Sequence, residues 1–462
     1  MNFIAAKIES MKNRGESVKN IILYWLPDLV SNAILVSLPP MFDSWVITRL
    51  GSTTLYGALA MGVNFLYMLI KLAEAIPAAS IAIVGRHNGA QEYEKCGDGL
   101  SDTFWTTFIL GLALFACIFF GAGVIYAWLG VPVEMIVVGI PFLKAKAFAI
   151  FLTFITLGLL GFMRAVKNTK VPMLINLIGL AAFFFFDYVL VLGKLGFPKF
   201  ALMGSAYASI IQYMLMNAIA LGYILTNPDY KKYFSRVFFS VFSLAGILHL
   251  LNISWPIIID KGTNAWAYVW LSKMLATMGG LAIVSYDVIK NLERFAFLPV
   301  IGFASIITFL VSNSLGAKDY EGAMANIKKV YLLAFLMVAP ALLLLIIKSH
   351  YFVSIYDPTN QFTDFAGAVL PIISLLVFCD LTQVFLAGAL RGAGDVRTVM
   401  WGRLFACLCF FVPISFLLSK LTMISELSRF TLIYSSFYLT TGLSGVIFLW
   451  RIKSRKWQKT VV

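Results

Sequence analysis

Three aspartates, Asp43, Asp187 and Asp380, interrupt long apolar stretches of the chain, each with runs of Leu, Ile, Val or Phe around it. A charge at the centre of a membrane span costs about 2.5–3.5 kcal/mol on insertion scales, so such an acid is expected to do something for the protein. A carboxyl group in apolar surroundings can exchange a proton near neutral pH, and once ionised it can hold Na⁺ or an organic cation. Ion or substrate coupling is therefore the functional reading of all three, with Asp43 and Asp187 as candidate Na⁺ ligands. The competing reading is a structural hydrogen bond to a neighbouring helix.

Other charges in apolar stretches read as structural. Lys71 and Glu74 lie one helical turn apart and can neutralise each other. Asp287, Lys290 and Arg294 share a stripe at helical spacing, with Glu293 beside them, and are expected to form a salt-bridge ladder. Asp28 is expected at the inner end of the first span, within reach of interfacial water. Pro39 and Pro40 precede Asp43 by about one turn, and prolines break the helical hydrogen-bond ladder. The histidines form no metal constellation, and no Gly-x-x-x-x-Gly-Lys-(Ser/Thr) loop is present for ATP hydrolysis.

The elements that must carry these residues follow from composition. Of 462 residues, 60% are hydrophobic and only 13% charged. A soluble fold averages nearer 45–50% apolar and about 25% charged, so a water-facing surface could not be built. The expectation is a polytopic membrane protein with spans of roughly 20 residues. Twelve apolar runs are found, at about 20–47, 54–84, 103–129, 137–162, 171–193, 202–225, 252–277, 280–312, 330–348, 364–390, 398–419 and 428–451. Strict alternation, as in a β-barrel, is absent. The net charge of +14 reads as loop charge that sets topology rather than as a nucleic-acid footprint. Basic residues such as Arg86, Lys95, Arg164, Lys167, Lys231, Lys232, Arg391 and Lys453 fall in alternate loops, which puts both termini in the cytoplasm. The charged N-terminus has no apolar core before a small-residue cleavage site, so no removable signal is expected. The five cysteines form no paired framework.

The chain also repeats. Gly89-Ala90 and Gly316-Ala317, each followed by a tyrosine at the same distance, lie 227 positions apart. Gly161-Phe162-Met163-Arg164 and Gly388-Ala389-Leu390-Arg391 are displaced by the same 227. Two matches at one displacement near half the chain indicate a duplicated unit. An even number of spans per half gives a parallel repeat, with a substrate site expected between the lobes. The expected organisation is an N-terminal lobe over 1–225, a cytoplasmic linker over 226–251 able to form an amphipathic helix, and a C-terminal lobe over 252–462. The three acids do not repeat, since Asp187 corresponds to Ile414 and Asp380 to Thr153.

Several motifs carry a resemblance. The first span reads Pro27 … Phe42-Asp43-Ser44 … Arg49-Leu50-Gly51. The fifth and sixth read Asp187 to Gly193, Pro198, then Gly204-Ser205-Ala206-Tyr207-Ala208 and Gln212. The tenth reads Asp380-Leu381-Thr382-Gln383, then Gly388 to Asp395. In order and spacing the chain resembles the multidrug and toxic compound extrusion (MATE) transporters over nearly its full length. The resemblance implies an all-α polytopic membrane protein of twelve transmembrane helices in two parallel-repeat six-helix lobes. It implies a secondary active antiporter that exports amphipathic, cationic organic compounds in exchange for Na⁺ or H⁺. Coupling and substrate binding would fall to Asp43, Asp187 and Asp380, with Pro27, Asp260, Asn264 and Gln383 as cavity candidates. Two positions depart from the family pattern. Phe183 stands where the family has an Asn four residues before Asp187, and Asn264 stands where one branch has a Glu eight residues after Pro256.

The nearest rival is a lipid-linked oligosaccharide flippase of the same superfamily, which would use Lys71, Lys261, Lys290 and Arg294 to hold a pyrophosphate. A membrane enzyme would need a catalytic cluster, and none is found. The expectation is a protein without a cofactor beyond the coupling ion, monomeric, in the cell membrane. Its partners would be the bilayer and small organic substrates, with no nucleic acid.

Overall fold

A computed structural model of the chain describes residues 15–50, scattered positions from 52 to 70, and then 73–128, 133–234, 242–357, 362–421 and 425–459. The protein is all-α, and no strand occurs among the described residues. Ten helices there are long and apolar enough to cross a membrane. They coincide with the third to twelfth expected spans. The first expected span lies in α1 (Val18–Thr48), which is 31 residues long and runs unbroken past Pro39. Most of the second, with Lys71, falls outside the described residues, and it ends in α2 (Ala75–Gly89).

The N-terminal half continues through α3 (Tyr93–Trp128), α4 (Val133–Ala165), α5 (Lys170–Leu192) and α6 (Leu202–Thr226). A 3₁₀ turn over Pro228–Tyr233, capped by Asn227, precedes α7 (Leu244–Ala276). The remaining helices of more than eight residues are α8 (Gly280–Gly316), α9 (Tyr320–Ile347), α10 (Thr363–Gly392), α11 (Val396–Ala406), α12 (Val412–Lys420) and α13 (Glu426–Lys453). A π turn over Cys407–Phe411 joins α11 to α12. Pro413 lacks the N–H that would close a regular turn there, which accounts for the widened register. In the most apolar stretch of α3 only 17% of residues are buried, as suits a helix with one face toward lipid.

The helices cluster into two compact units, one of Leu26–Ser254 and one of Trp255–Val462 together with Met1–Trp25. The boundaries fall inside α1 and α7. The start of the chain is held in the C-terminal unit by Glu16, whose N–H donates to Asn326 at 2.8 Å, and by Trp25, which stacks on Phe303 at 4.9 Å.

The 227-residue repeat is present in the backbone itself. Gln91 and Lys318 both take left-handed φ, at 61° and 58°, and close the same helix-ending bonds at Gly89-Ala90 and Gly316-Ala317. Lys167 and Gly394 do so after α4 and α10, at 64° and 80°. Gly161 and Gly388 serve matching close approaches: a methyl would lie 2.6 Å from Pro77 in one unit and 2.7 Å from the Ala304 carbonyl in the other. Pro77 and Ala304 are again 227 apart. Hence these glycines meet a packing demand that the duplicated scaffold makes twice.

Candidate functional site

Each unit buries its own cluster of charge. In the N-terminal unit Asp43 lies on α1, Lys146 on α4, Asp187 on α5, and Ser205 and Ser209 one turn apart on α6. Gly204 brings α5 and α6 together, because a methyl there would sit 2.6 Å from the Val191 nitrogen. That contact is the physical content of the Gly204-Ser205-Ala206 motif. Ser205 Oγ donates to Asp43 Oδ2 at 2.7 Å, and Lys146 Nζ stands 3.7 Å from the same oxygen. Lys146 Nζ also donates to Ser209 Oγ at 2.7 Å. The ammonium lies 5.5 Å from the Phe142 ring centroid and 5.9 Å from that of Phe183. Phe183, the departure from the family pattern, thus forms part of a cradle for a cation.

Asp187 is wholly buried, and neither of its carboxylate oxygens accepts a hydrogen bond. It lies within electrostatic reach of both Asp43 and Lys146. Asp43 Oδ1 is likewise buried and unbonded. Among the described residues the N-terminal cluster therefore holds two carboxylates against one ammonium.

In the C-terminal unit Asp260 and Asp380 are answered by bases. Asp260 on α7 pairs through Oδ1 with Arg403 Nε at 2.6 Å and through Oδ2 with Arg391. Asp380 on α10 joins the same network. Gln383, its amide oriented by its neighbours, donates to Asp380 Oδ1 at 3.0 Å and accepts from Arg403. Beside this network lies a small pocket whose walls include Thr263, Asn264, Gln383, Arg403, Cys407 and Thr441. Asn264 and Gln383 thus line one cavity, Asp260 braces Arg403 in its wall, and Pro27 lies buried in α1 of the other unit. A further buried acid, Glu293, accepts from Tyr434 at 2.9 Å and Tyr438 at 2.7 Å, while its Oε1 has no donor.

Two expectations need correction. Asp28 does not reach interfacial water. It is 1% exposed and pairs with Arg164 at 2.9 Å. Arg164 and Arg391 are the repeated arginines, and each pairs with an acid on the first helix of its half, Asp28 or Asp260. The ladder on α8 is not formed either. Among the described residues no ion pair joins Asp287, Lys290 and Arg294. Asp287 accepts from Asn291, Lys290 lies over the rings of Tyr268 and Tyr286, and Glu293 turns inward to its tyrosines. Carboxylate and ammonium groups one turn apart gain little when each has a better partner on its own side of the helix.

Sequence reasoning missed Lys146 and Arg403. Each is a base in an apolar run, Lys146 with Lys144 two residues before it, and its partner acid is far away along the chain. The signal available for Lys146 was its depth, 13 residues into α4 and too far from either end to reach water.

Outside the spans the loops are tied down. Asn168 Nδ2 donates to Tyr230 at 3.0 Å, and Tyr233 donates to Asn88 at 3.1 Å, fixing the 3₁₀ turn against α4 and α2. Burial pushes both tyrosine hydroxyls above their ordinary range. Residues 235–241 of the expected linker, Arg236 among them, lie outside the described residues. At the end of α2, hydrogen bonds from His87 and Lys95 hold the Glu92 carboxyl below its usual range.

The MatE family profile matches residues 29–189 and 256–419. A protein of Mannheimia succiniciproducens named "Probable multidrug resistance protein NorM" is 22% identical over 453 residues, 96% of each chain. "Multidrug resistance protein NorM" of Photobacterium profundum is 24% identical, covering 90% of this chain and 91% of its own. Among solved structures, "Crystal structure of MATE in the bent conformation" superposes with a TM-score of 0.86 at 15% identity, covering 96% of both chains. A superfamily transporter of Pyrococcus furiosus, described as having a binding pocket of reversed polarity, superposes at 0.83 with 15% identity over 97% of this chain and 98% of its own.

Proposed function

The chain belongs to the MatE family of membrane transporters, and on that premise we propose that it is a secondary antiporter exporting amphipathic organic cations in exchange for Na⁺ or H⁺. The observation that carries this reading is Asp187, a fully buried carboxylate with no hydrogen-bond donor, beside the Asp43–Lys146 pair. An unanswered acid in an apolar span exchanges cations: a proton, Na⁺ or the positive group of a substrate. Cation entry at Asp43 and Asp187 favours one of two alternating arrangements and displaces the exported compound. The names of the relatives, multidrug resistance proteins, point the same way.

The test is transport in proteoliposomes under an imposed Na⁺ or pH gradient with a panel of cationic dyes. Gradient-dependent accumulation is expected. A gradient that leaves every dye unmoved would sink the reading. The flippase alternative finds less support, because Lys146, Arg391 and Arg403 are engaged with acids and Lys290, one of the bases it would use, lies over the rings of Tyr268 and Tyr286.

We place the protein in the cell membrane with both termini cytoplasmic, on the loop charges. Single cysteines at Lys232 and Lys456, in a chain otherwise free of cysteine, should resist an impermeant thiol reagent in intact cells. Ready labelling of either would reverse the orientation.

A further inference from the structure

Lys146 has no place in the mechanism above beyond its pairing, and its position is unusual. It lies in the interior of α4, 8% exposed, where a lysine cannot extend its ammonium to either membrane surface. The ammonium is bonded to Ser209, paired with Asp43 and set near two phenylalanine rings. A carboxylate with aromatic faces is what a receptor for an alkylammonium would offer. That receptor is already filled by a cation tethered to the protein.

The charge count then matters. Asp43 and Asp187 carry two negative charges when ionised, and Lys146 cancels one. Asp187 keeps both oxygens unbonded. We propose that Lys146 is a specificity-determining residue: by occupying Asp43 it leaves one uncompensated carboxylate, Asp187, among the described residues of this cluster, which restricts the site to cations of single charge. The proposal rests on the reading of the chain as a cation antiporter and names which cations that antiporter takes. A second positive charge on the substrate would meet the ammonium of Lys146 rather than a free acid, and like charges in a desolvated site repel strongly.

The experiment uses the purified full-length chain in nanodiscs and two dyes of one ring system, ethidium with one positive charge and propidium with two. Wild type should bind ethidium more tightly than propidium, and Lys146→Met should shift the ratio of dissociation constants toward propidium by about tenfold, the scale of one close charge pair. Lys146→Arg, which keeps the charge, should leave the ratio near the wild-type value. Asp43→Asn leaves Lys146 facing Asp187 with no net charge, so ethidium binding should fall. Adding Lys146→Met to Asp43→Asn restores one net negative charge and should recover ethidium binding. That double variant removes both members of the Asp43–Lys146 pair, so neither is left facing a lost partner, and it is expected to fold better than Asp43→Asn alone.

A ratio unchanged in Lys146→Met while ethidium still binds would overturn the proposal, as would a folded double variant that does not recover ethidium. Wild type that binds neither dye would instead fail the cation-antiporter reading and the proposal with it.

Discussion

The two units share a duplicated scaffold and treat buried charge in opposite ways. In the C-terminal unit Asp260 and Asp380 face Arg391 and Arg403, two acids for two bases, knitted together through Gln383. In the N-terminal unit Asp43 and Asp187 face one base among the described residues, Lys146, and Asp187 has no donor. A buried, hydrogen-bonded ion network is held in place because breaking it strands a charge. A buried acid without a partner is costly until a cation arrives, and that cost is what a transporter can use. The scaffold explains what is alike, namely Arg164 with Asp28 and Arg391 with Asp260. What differs is added to the scaffold, and on the proposed function the N-terminal additions serve coupling and the C-terminal ones bracing.

The contrast is broken most directly at its two extremes. Asp187→Asn should abolish gradient-driven export while leaving folding intact, because the amide cannot carry the cation and no partner is left stranded. Efflux from proteoliposomes at matched protein levels measures this, and full transport by the variant removes Asp187 from the mechanism. Asp260→Asn should do the reverse. It leaves Arg391 and Arg403 facing a neutral group, at a cost of about 3–5 kcal/mol. A lowered thermal midpoint in detergent would report it, and an unchanged midpoint would mean that the arginines are not held by Asp260.

Which half of the contrast could be seen in the sequence follows from the range of the signals. Asp43, Asp187 and Asp380 announce themselves because an acid in an apolar run is rare. The repeat announces itself through Gly161, Arg164, Gly388 and Arg391, whose local chemistry was copied intact. Pairing between helices leaves no such trace. Asp28 lies 136 positions from Arg164 and Asp260 lies 143 from Arg403, so nothing local told either acid from one facing solvent. Glu293 has the helical spacing of the α8 stripe, and only the arrival of Tyr434 and Tyr438 from α13 draws it inward.

Gly204→Ala sharpens the comparison at the packing level. A methyl would press on the Leu190 carbonyl and Val191 nitrogen at 2.6–2.8 Å and part α5 from α6. Overpacking of this kind costs about 1–3 kcal/mol. Since Asp187 rides on α5 and Ser205 on α6, export should fall together with the thermal midpoint. A variant with normal stability and normal export would show that the contact does not set the site.

The smallest effect is expected at Asp380, and it decides where coupling resides. Asp380 accepts from Gln383, which itself accepts from Arg403, and Arg403 keeps Asp260 as its ion partner whatever stands at position 380. An asparagine there can still accept the Gln383 hydrogen bond, so Asp380→Asn loses part of one interaction, about 0.5–1.5 kcal/mol. Transport should weaken by a few-fold. Asp43→Asn, by contrast, removes the acid that holds Lys146, cancels the net charge of its cluster and should weaken transport far more. Both variants belong in one assay, at matched levels, with pH and Na⁺ varied separately. If Asp380→Asn alone erases the cation dependence while Asp43→Asn retains it, coupling belongs to the C-terminal unit. Glu293, whose Oε1 also lacks a donor, would then be the acid to examine beside Asp380.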